Sequence, residues 1–157
     1  IVSLEQKMEC EVEVPGISYP IKLKGLADRI DRKNGELRIV DYKTGKVQSG
    51  DLYVGDLSEL STNSKRKYVL QVLFYAVLYM ENNPHTNISE LKSGIISFKN
   101  FKAGFMSCNY AKGRKRDDQM SMERYQEFKE ALIALLYEIF NPEISFKENE
   151  DKKYAWV

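Results

Sequence analysis

The chain has 157 residues, 43% of them apolar and 30% charged, with a formal net charge of +1. That length suits one domain with its own core, and the near-neutral balance excludes a globally basic surface, so any contact with nucleic acid must be local. No apolar run is long enough for a spanning helix and nothing reads as a signal peptide, so no membrane partner is expected and the expected location is the cytoplasm. Cys10 and Cys108 lie too far apart for a metal-ligand spacing and read as buried, reduced thiols.

In chain order, residues 4–14, LEQKMECEVEV, alternate from Met8 onward. Met8, Cys10, Val12 and Val14 take one face and Glu9, Glu11 and Glu13 the other, which is a half-exposed strand. Pro15-Gly16 ends it and IKLKGLADRID follows, so a first hairpin is expected. Asn34-Gly35 then marks a second hairpin, because a type I′ turn needs positive φ at both central residues. With those two as the loop, Lys33 faces Glu36, Asp31 faces Arg38, Ile30 faces Ile39 and Asp28 faces Asp41. Alternation puts Leu26, Asp28 and Ile30 on one face with Leu37, Ile39, Asp41 and Lys43. Arg29 and Asp31 fall on the other face, where Asp31–Arg38 reads as a structural cross-strand pair.

Two opposed carboxylates repel each other, and a divalent cation between them turns that cost into a binding site. Two acids and a lysine on one face are the equipment for metal-assisted phosphodiester hydrolysis. The acids hold Mg²⁺, the metal polarises a phosphate and lowers the pKa of bound water, and Lys43 orients that water or neutralises charge. The plainer reading of a lone D-x-K is a surface hairpin with scattered charges; Asp28 opposite Asp41 counts against it.

Residues 44–64 carry three glycines and many small polar residues, which predicts a loop with a short helix near Asp56–Leu60, bordering the site. A helix is expected over Lys65–Glu81. Its first turn holds Lys65, Arg66 and Lys67, which oppose the helix dipole; a phosphate backbone as partner is one explanation and plain solvation the other. The helix body is apolar nearly all round, hence buried, and Gln71 and Tyr75 share a stripe on it. Asn82-Asn83-Pro84 ends it, and His85, the only histidine, falls in the loop beyond. LKSGIISFKNF reads as a strand, with a pairing segment after Gly104. Arg114, Lys115 and Arg116 lie in a basic loop that suits phosphates. Ser121 caps a final amphipathic helix, stopped by Asn141-Pro142. The expected fold is a five-stranded mixed α/β sheet packed between helices 65–81 and 121–140.

GLADRID followed by IVDYKTG resembles motifs II and III of the PD-(D/E)xK nuclease superfamily, in its RecB-like branch. The resemblance implies a restriction-endonuclease-like core. It makes Asp28 the motif II acid and Asp41 and Lys43 the D and K of D-x-K, with the backbone carbonyl of Tyr42 completing the metal shell. Gln71-x-x-x-Tyr75 is similar to the branch's further motif and implies a catalytic role for both residues. Glu5 matches a glutamate that commonly precedes the first strand there, and is a candidate supporting group. The family's motif I histidine lies on a helix upstream of motif II. His85 does not match it, so the chain, which starts at Ile1, is expected to be a fragment of a longer protein, forming a single nuclease domain over 1–157. The implied function is a Mg²⁺-dependent deoxyribonuclease, with Mn²⁺ able to substitute, acting as an exonuclease beside a helicase in DNA repair or recombination. Tyr154-Ala155-Trp156 stands where relatives begin a cysteine set, so no iron–sulfur cluster is expected. The rival readings are a catalytically silent DNA-binding scaffold and an acidic metal-binding or interaction module.

Overall fold

The structure is a computed structural model and describes residues 1–111 and 115–147. Its elements are β1 (Ser3–Val12), β2 (Ile21–Lys33), β3 (Glu36–Lys43), α1 (Lys67–Asn82), β4 (Leu91–Ser97), β5 (Phe105–Ser107) and α2 (Met122–Phe140). The strands form one sheet in the order β1-β2-β3-β4-β5. The first three make an antiparallel meander, β3 and β4 run parallel with α1 as their crossover, and β5 returns antiparallel to β4. This is the restriction-endonuclease-like α/β architecture that the sequence implies.

The central hairpin follows from its turn. Asn34 and Gly35 have φ of 53° and 81°, both left-handed as a type I′ turn requires. Lys33 pairs with Glu36, Asp31 with Arg38, Ile30 with Ile39 and Arg29 with Val40. The first hairpin is also as expected: Met8, Val12 and Val14 are buried while Glu9, Glu11 and Glu13 are exposed. Cys10 is only half-buried, whereas Cys108 is buried, with a pKa pushed up to about 12 by that burial; both thiols are free.

Alternation breaks once, at the residues that matter most. Ile21, Leu23 and Ala27 face the core as odd-numbered positions, yet the next core residue is Ile30. Leu26 is therefore exposed instead of sharing the face of Ile30. Two residues, Asp28 and Arg29, stand between buried Ala27 and buried Ile30, although the register with β1 is the same on both sides of them. The neighbouring strands adjust on both sides. In β1, Ser3 and Leu4 pair with Ile30 and Arg29, and Gln6 with Ala27, but Glu5, opposite Asp28, is unpaired with φ 48°. In β3 the ladder with β2 ends at Val40, so Asp28 and Asp41 are not a ladder pair.

α1 covers the sheet. A Cβ on Gly25 would stand 2.6 Å from Leu78 Cδ1 and 3.1 Å from the Tyr75 ring, so only glycine lets the helix sit this close to β2. α2, capped by Ser121 Oγ accepting from the Arg124 N–H at 3.2 Å, packs on α1 and on the segment around Leu57–Glu59. Tyr125 Oη donates to Glu81 at 2.9 Å and Lys129 pairs with the same carboxylate. Both helices thus lie on one side, where the sequence alone suggested a sheet held between them. An amphipathic stripe shows that a helix has a buried face but not what covers it.

α1 begins at Lys67, later than expected, because Asn63 caps a 3-10 turn over Ser64–Arg66 first. The loop before it carries two more such turns, Ser49–Leu52 and Leu57–Glu59.

Candidate active site

Asp41 and Lys43 end β3, the strand at the centre of the sheet, beside the parallel partner β4, where Ile95 and Ser97 are their register neighbours. Asp41 is 4% exposed. Lys43 Nζ lies 2.9 Å from Asp41 Oδ2, yet that oxygen makes no hydrogen bond of good geometry and is fully enclosed. Burial pushes the Asp41 carboxyl above the usual carboxylate range, the Lys43 ammonium pulls it back, and the charge of Asp28 raises it again. The two acids are thus close enough to feel each other although the ladder does not pair them. Asp28 reaches β3 with its side chain: the Tyr42 N–H donates to Asp28 Oδ2 at 2.7 Å. A carboxylate takes the place of the missing backbone acceptor, and it fixes the peptide joining Asp41 to Tyr42.

Lys43 has a second neighbour that sequence reading missed. Its Nζ stands 5.9 Å from the centre of the Tyr68 ring on the first turn of α1. Tyr68 also borders a cleft of about 610 Å³ whose walls include Lys46, Asn63, Ser64, Lys65 and Lys67. Lys46 was readable as part of the Thr44-Gly45-Lys46 turn after the catalytic strand, but only the fold joins it to Lys65 and Lys67. A cleft of about 780 Å³ between residues 54–61 and α2 is larger, but Asp56, Glu127, Glu130 and Glu138 line it and would repel a phosphate.

Gln71 Nε2 donates to Tyr75 Oη at 3.0 Å. Neither side chain forms a hydrogen bond with Asp28, Asp41 or Lys43 among the described residues. They continue the stripe that starts at Tyr68, one and two turns further along α1, and Tyr75 rests over Gly25 of β2. Glu5 lies within β1 rather than before it, at the position opposite Asp28, exposed and without a hydrogen bond or ion pair among the described residues.

The basic residues divide. Lys65 and Lys67 are exposed and line the cleft. Arg66 is turned inward: it donates to the Tyr53 carbonyl at 2.7 Å and lies 3.6 Å from Glu59, so it staples the loop. Lys115 is exposed, whereas Arg116 donates to Ser107 Oγ at 2.8 Å and sits 3.6 Å from Asp118. Arg114 and the Tyr154–Trp156 stretch lie outside the described residues. His85 is exposed in its loop.

On the opposite sheet face, Asp31 is 1% exposed and is gripped by two arginines. Arg38 donates to both of its oxygens at 2.7 and 2.8 Å, and Arg29 Nη2 lies 2.6 Å away. Hydrogen bonds from Arg38 hold its carboxyl below the usual range. Asp31 is thereby spoken for, and the acid free for chemistry is Asp28.

A buried, under-coordinated aspartate coupled to a second carboxylate and flanked by a lysine suits few tasks. Among the described residues no group of three or more His, Cys, Asp or Glu gathers as a metal cage. Two carboxylates are nonetheless enough for Mg²⁺, which keeps several waters and needs one or two protein acids. Such a set suits metal-assisted hydrolysis of phosphodiesters. The chain belongs to the PD-(D/E)XK nuclease superfamily, whose profile matches residues 2–154. No curated protein and no solved structure matches it. Nucleases of this superfamily generally use divalent metals such as Mg²⁺. Among the described residues no helix is long and apolar enough to cross a membrane.

Proposed function

We propose that the chain is a Mg²⁺-dependent deoxyribonuclease domain of the RecB-like type, an exonuclease that works with a helicase domain or subunit in DNA repair or recombination in the cytoplasm. The observation that carries the reading is the buried Asp41 carboxylate, held by the Lys43 ammonium at 2.9 Å with Asp28 as a second acid nearby. Two neighbouring carboxylates beside one lysine leave a negative charge that a divalent cation would balance.

Asp28, Asp41 and the backbone carbonyl of Tyr42 would hold Mg²⁺, or Mn²⁺ in its place. The ion would supply Lewis acidity and a more acidic bound water. The chain's own residues do the rest. Asp28 fixes the Asp41–Tyr42 peptide through the Tyr42 N–H. Lys43 places a cation where charge develops on the phosphate. Lys46, Lys65 and Lys67 give the scissile strand a basic cleft next to Tyr68. Gln71 and Tyr75 order the wall of α1 that faces the substrate, and Glu5 stands opposite Asp28 as a supporting acid. The branch assignment rests on Gln71-x-x-x-Tyr75 beside the D-x-K set.

End-labelled single- and double-stranded DNA, incubated with the protein in Mg²⁺, Mn²⁺ or EDTA, tests this. Cleavage from an end in either metal, none in EDTA, is the expected result. DNA binding with no cleavage in any metal would favour the silent-scaffold reading, and neither binding nor cleavage the acidic interaction module.

A further inference from the structure

The segment following β4 is not used by the reading above. Phe98–Ala103, FKNFKA, leaves the sheet right after Ser97, the register partner of Lys43. Phe98 is 55% and Phe101 70% exposed, and Lys99 and Lys102 are exposed between and beyond them. These aromatic rings are not on a slack loop. Ser97 Oγ donates to the Gly45 carbonyl at 2.8 Å and accepts from the Val47 N–H at 3.2 Å. Asn100 Nδ2 donates to the Val47 carbonyl at 2.9 Å, and the Gly104 N–H closes the turn on the Phe101 carbonyl. The Phe98 ring stacks on Tyr42, centroids 5.7 Å apart and planes 13° off parallel. Tyr42 is the residue between Asp41 and Lys43, and its ring lies on the other face of the sheet, where Arg29 Nη1 donates to its Oη at 3.4 Å, so the stack stands around the end of β3 from those two side chains.

We infer that Phe98 and Phe101, backed by Tyr42, form a stacking platform that receives the unpaired bases of single-stranded DNA on its way to Asp41 and Lys43. Three features select this occupant. The sequence alternates aromatic and cationic residues, the pattern that pairs base stacking with phosphate contacts. The two stitched segments, 44–51 and 98–104, carry Lys46, Lys99 and Lys102 against one carboxylate, Asp51, which accepts from the Gln48 N–H at 2.8 Å, so the patch has a net positive charge that complements a polyanion. Its base adjoins the end of the catalytic strand. Duplex DNA keeps its base faces covered by neighbours, whereas a single strand offers them. The position of the cut relative to the platform rests on the nuclease reading; the binding does not.

The test is fluorescence anisotropy of labelled oligo-dT and of a duplex of equal length, in EDTA so that cleavage plays no part. The Phe98→Ala/Phe101→Ala variant should bind oligo-dT at least about tenfold more weakly, since each base–aromatic stack contributes a factor of that order. Its duplex affinity should change by less than about twofold. Phe101→Tyr should retain single-strand binding and Phe101→Leu should not. Phe101→Ala alone, at a ring that stacks on no other among the described residues, guards against a disturbance at Tyr42, and thermal melts confirm folding. Equal weakening on both DNAs, unchanged oligo-dT binding, or full rescue by Phe101→Leu would overturn the platform, the last pointing to an apolar protein partner. A protein that binds oligo-dT through these rings yet never cuts would retain the platform and sink the nuclease reading. One that cuts with both rings removed and binding unaltered would do the reverse.

Discussion

At the scale of single residues, Asp41 is the buried charge of the candidate site. Its carboxylate is buried, raised in pKa by that burial, and balanced by one lysine. Asp41→Asn removes a buried charge and leaves Lys43, which is 26% exposed, able to turn to water. Metal-free stability should therefore hold or rise slightly, while cleavage is lost; melts beside a cleavage assay check both. Asp31 should behave in the opposite way. The sequence suggested a modest cross-strand pair, worth a few tenths to about 1 kcal/mol. The observed burial between Arg29 and Arg38 makes it larger. Asp31→Ala strands two guanidiniums and should cost about 3 kcal/mol, the lower end for a broken buried pair because Arg29 is partly exposed. For a chain of this length that is a melting-temperature loss of roughly 6–12 °C. The pH dependence has a definite sign. Asp31 has a depressed folded pKa, so its stabilisation is present above its unfolded value of about 3.9 and is lost as pH falls through the folded pKa. The gap in urea midpoint between the native protein and Asp31→Asn should begin to narrow only below about pH 4 and close as pH falls on through the depressed folded pKa. A gap already absent at neutral pH would show that Asp31 is not held as described.

At the scale of elements, the break in β2 decides which side chains meet. The Asn34-Gly35 turn and the run of β1 from Met8 were legible because each is local: φ requirements in one case, alternation in the other. The break at Asp28–Arg29 was not, because it depends on Glu5 adopting φ 48° in one neighbour and on Asp28 capturing the Tyr42 N–H of the other. The inward partners of Arg66 were not readable for the same kind of reason, since Tyr53 and Glu59 come near only in the fold. Glu5 offers a clean experiment. A non-glycine residue in the left-handed region costs about 1–2 kcal/mol, and glycine gives back about 0.5–1 through chain entropy. Glu5→Gly should thus be neutral or stabilising by up to about 1 kcal/mol, and a fall in cleavage without loss of stability would identify its carboxylate as part of the site. Gly25→Ala probes the contact of α1 with β2. The added methyl meets Leu78 and Tyr75 and should cost about 1–3 kcal/mol by overpacking. Cleavage should also slow, with metal affinity retained, if the Gln71–Tyr75 pair orders the site wall. A variant that melts earlier but cuts at the native rate would confine that pair to core packing.

At the scale of the whole molecule, the two sheet faces do different work. One is covered by α1 and, beyond it, α2, and supplies the apolar core. The other carries a chain of ion pairs across the strands. Asp31 joins Arg29 and Arg38, Lys92 joins Glu36 at 2.7 Å and Asp118 at 2.8 Å, and Asp118 accepts from Ser107 at 2.8 Å. The candidate site residues Asp41 and Lys43 sit at one end of the sheet, where β3 and β4 stop side by side, with the basic cleft and the FKNF turn on either flank. The order of motifs in the sequence indicated the nuclease superfamily and the D-x-K strand, because those residues are close in the chain. The flanks were not readable, since Tyr68 and Phe98 meet the site only through the crossover. The measurement that tests the central claim most directly is the rate of Mg²⁺-dependent DNA cleavage by four alanine variants assayed together, at Asp28, Asp41, Lys43 and Asp31. The geometry predicts that the first three lose cleavage by several orders of magnitude while folding normally, and that Asp31→Ala, although less stable, still cuts below its melting temperature. A dead but stable Asp31 variant beside an active Asp28 variant would contradict it.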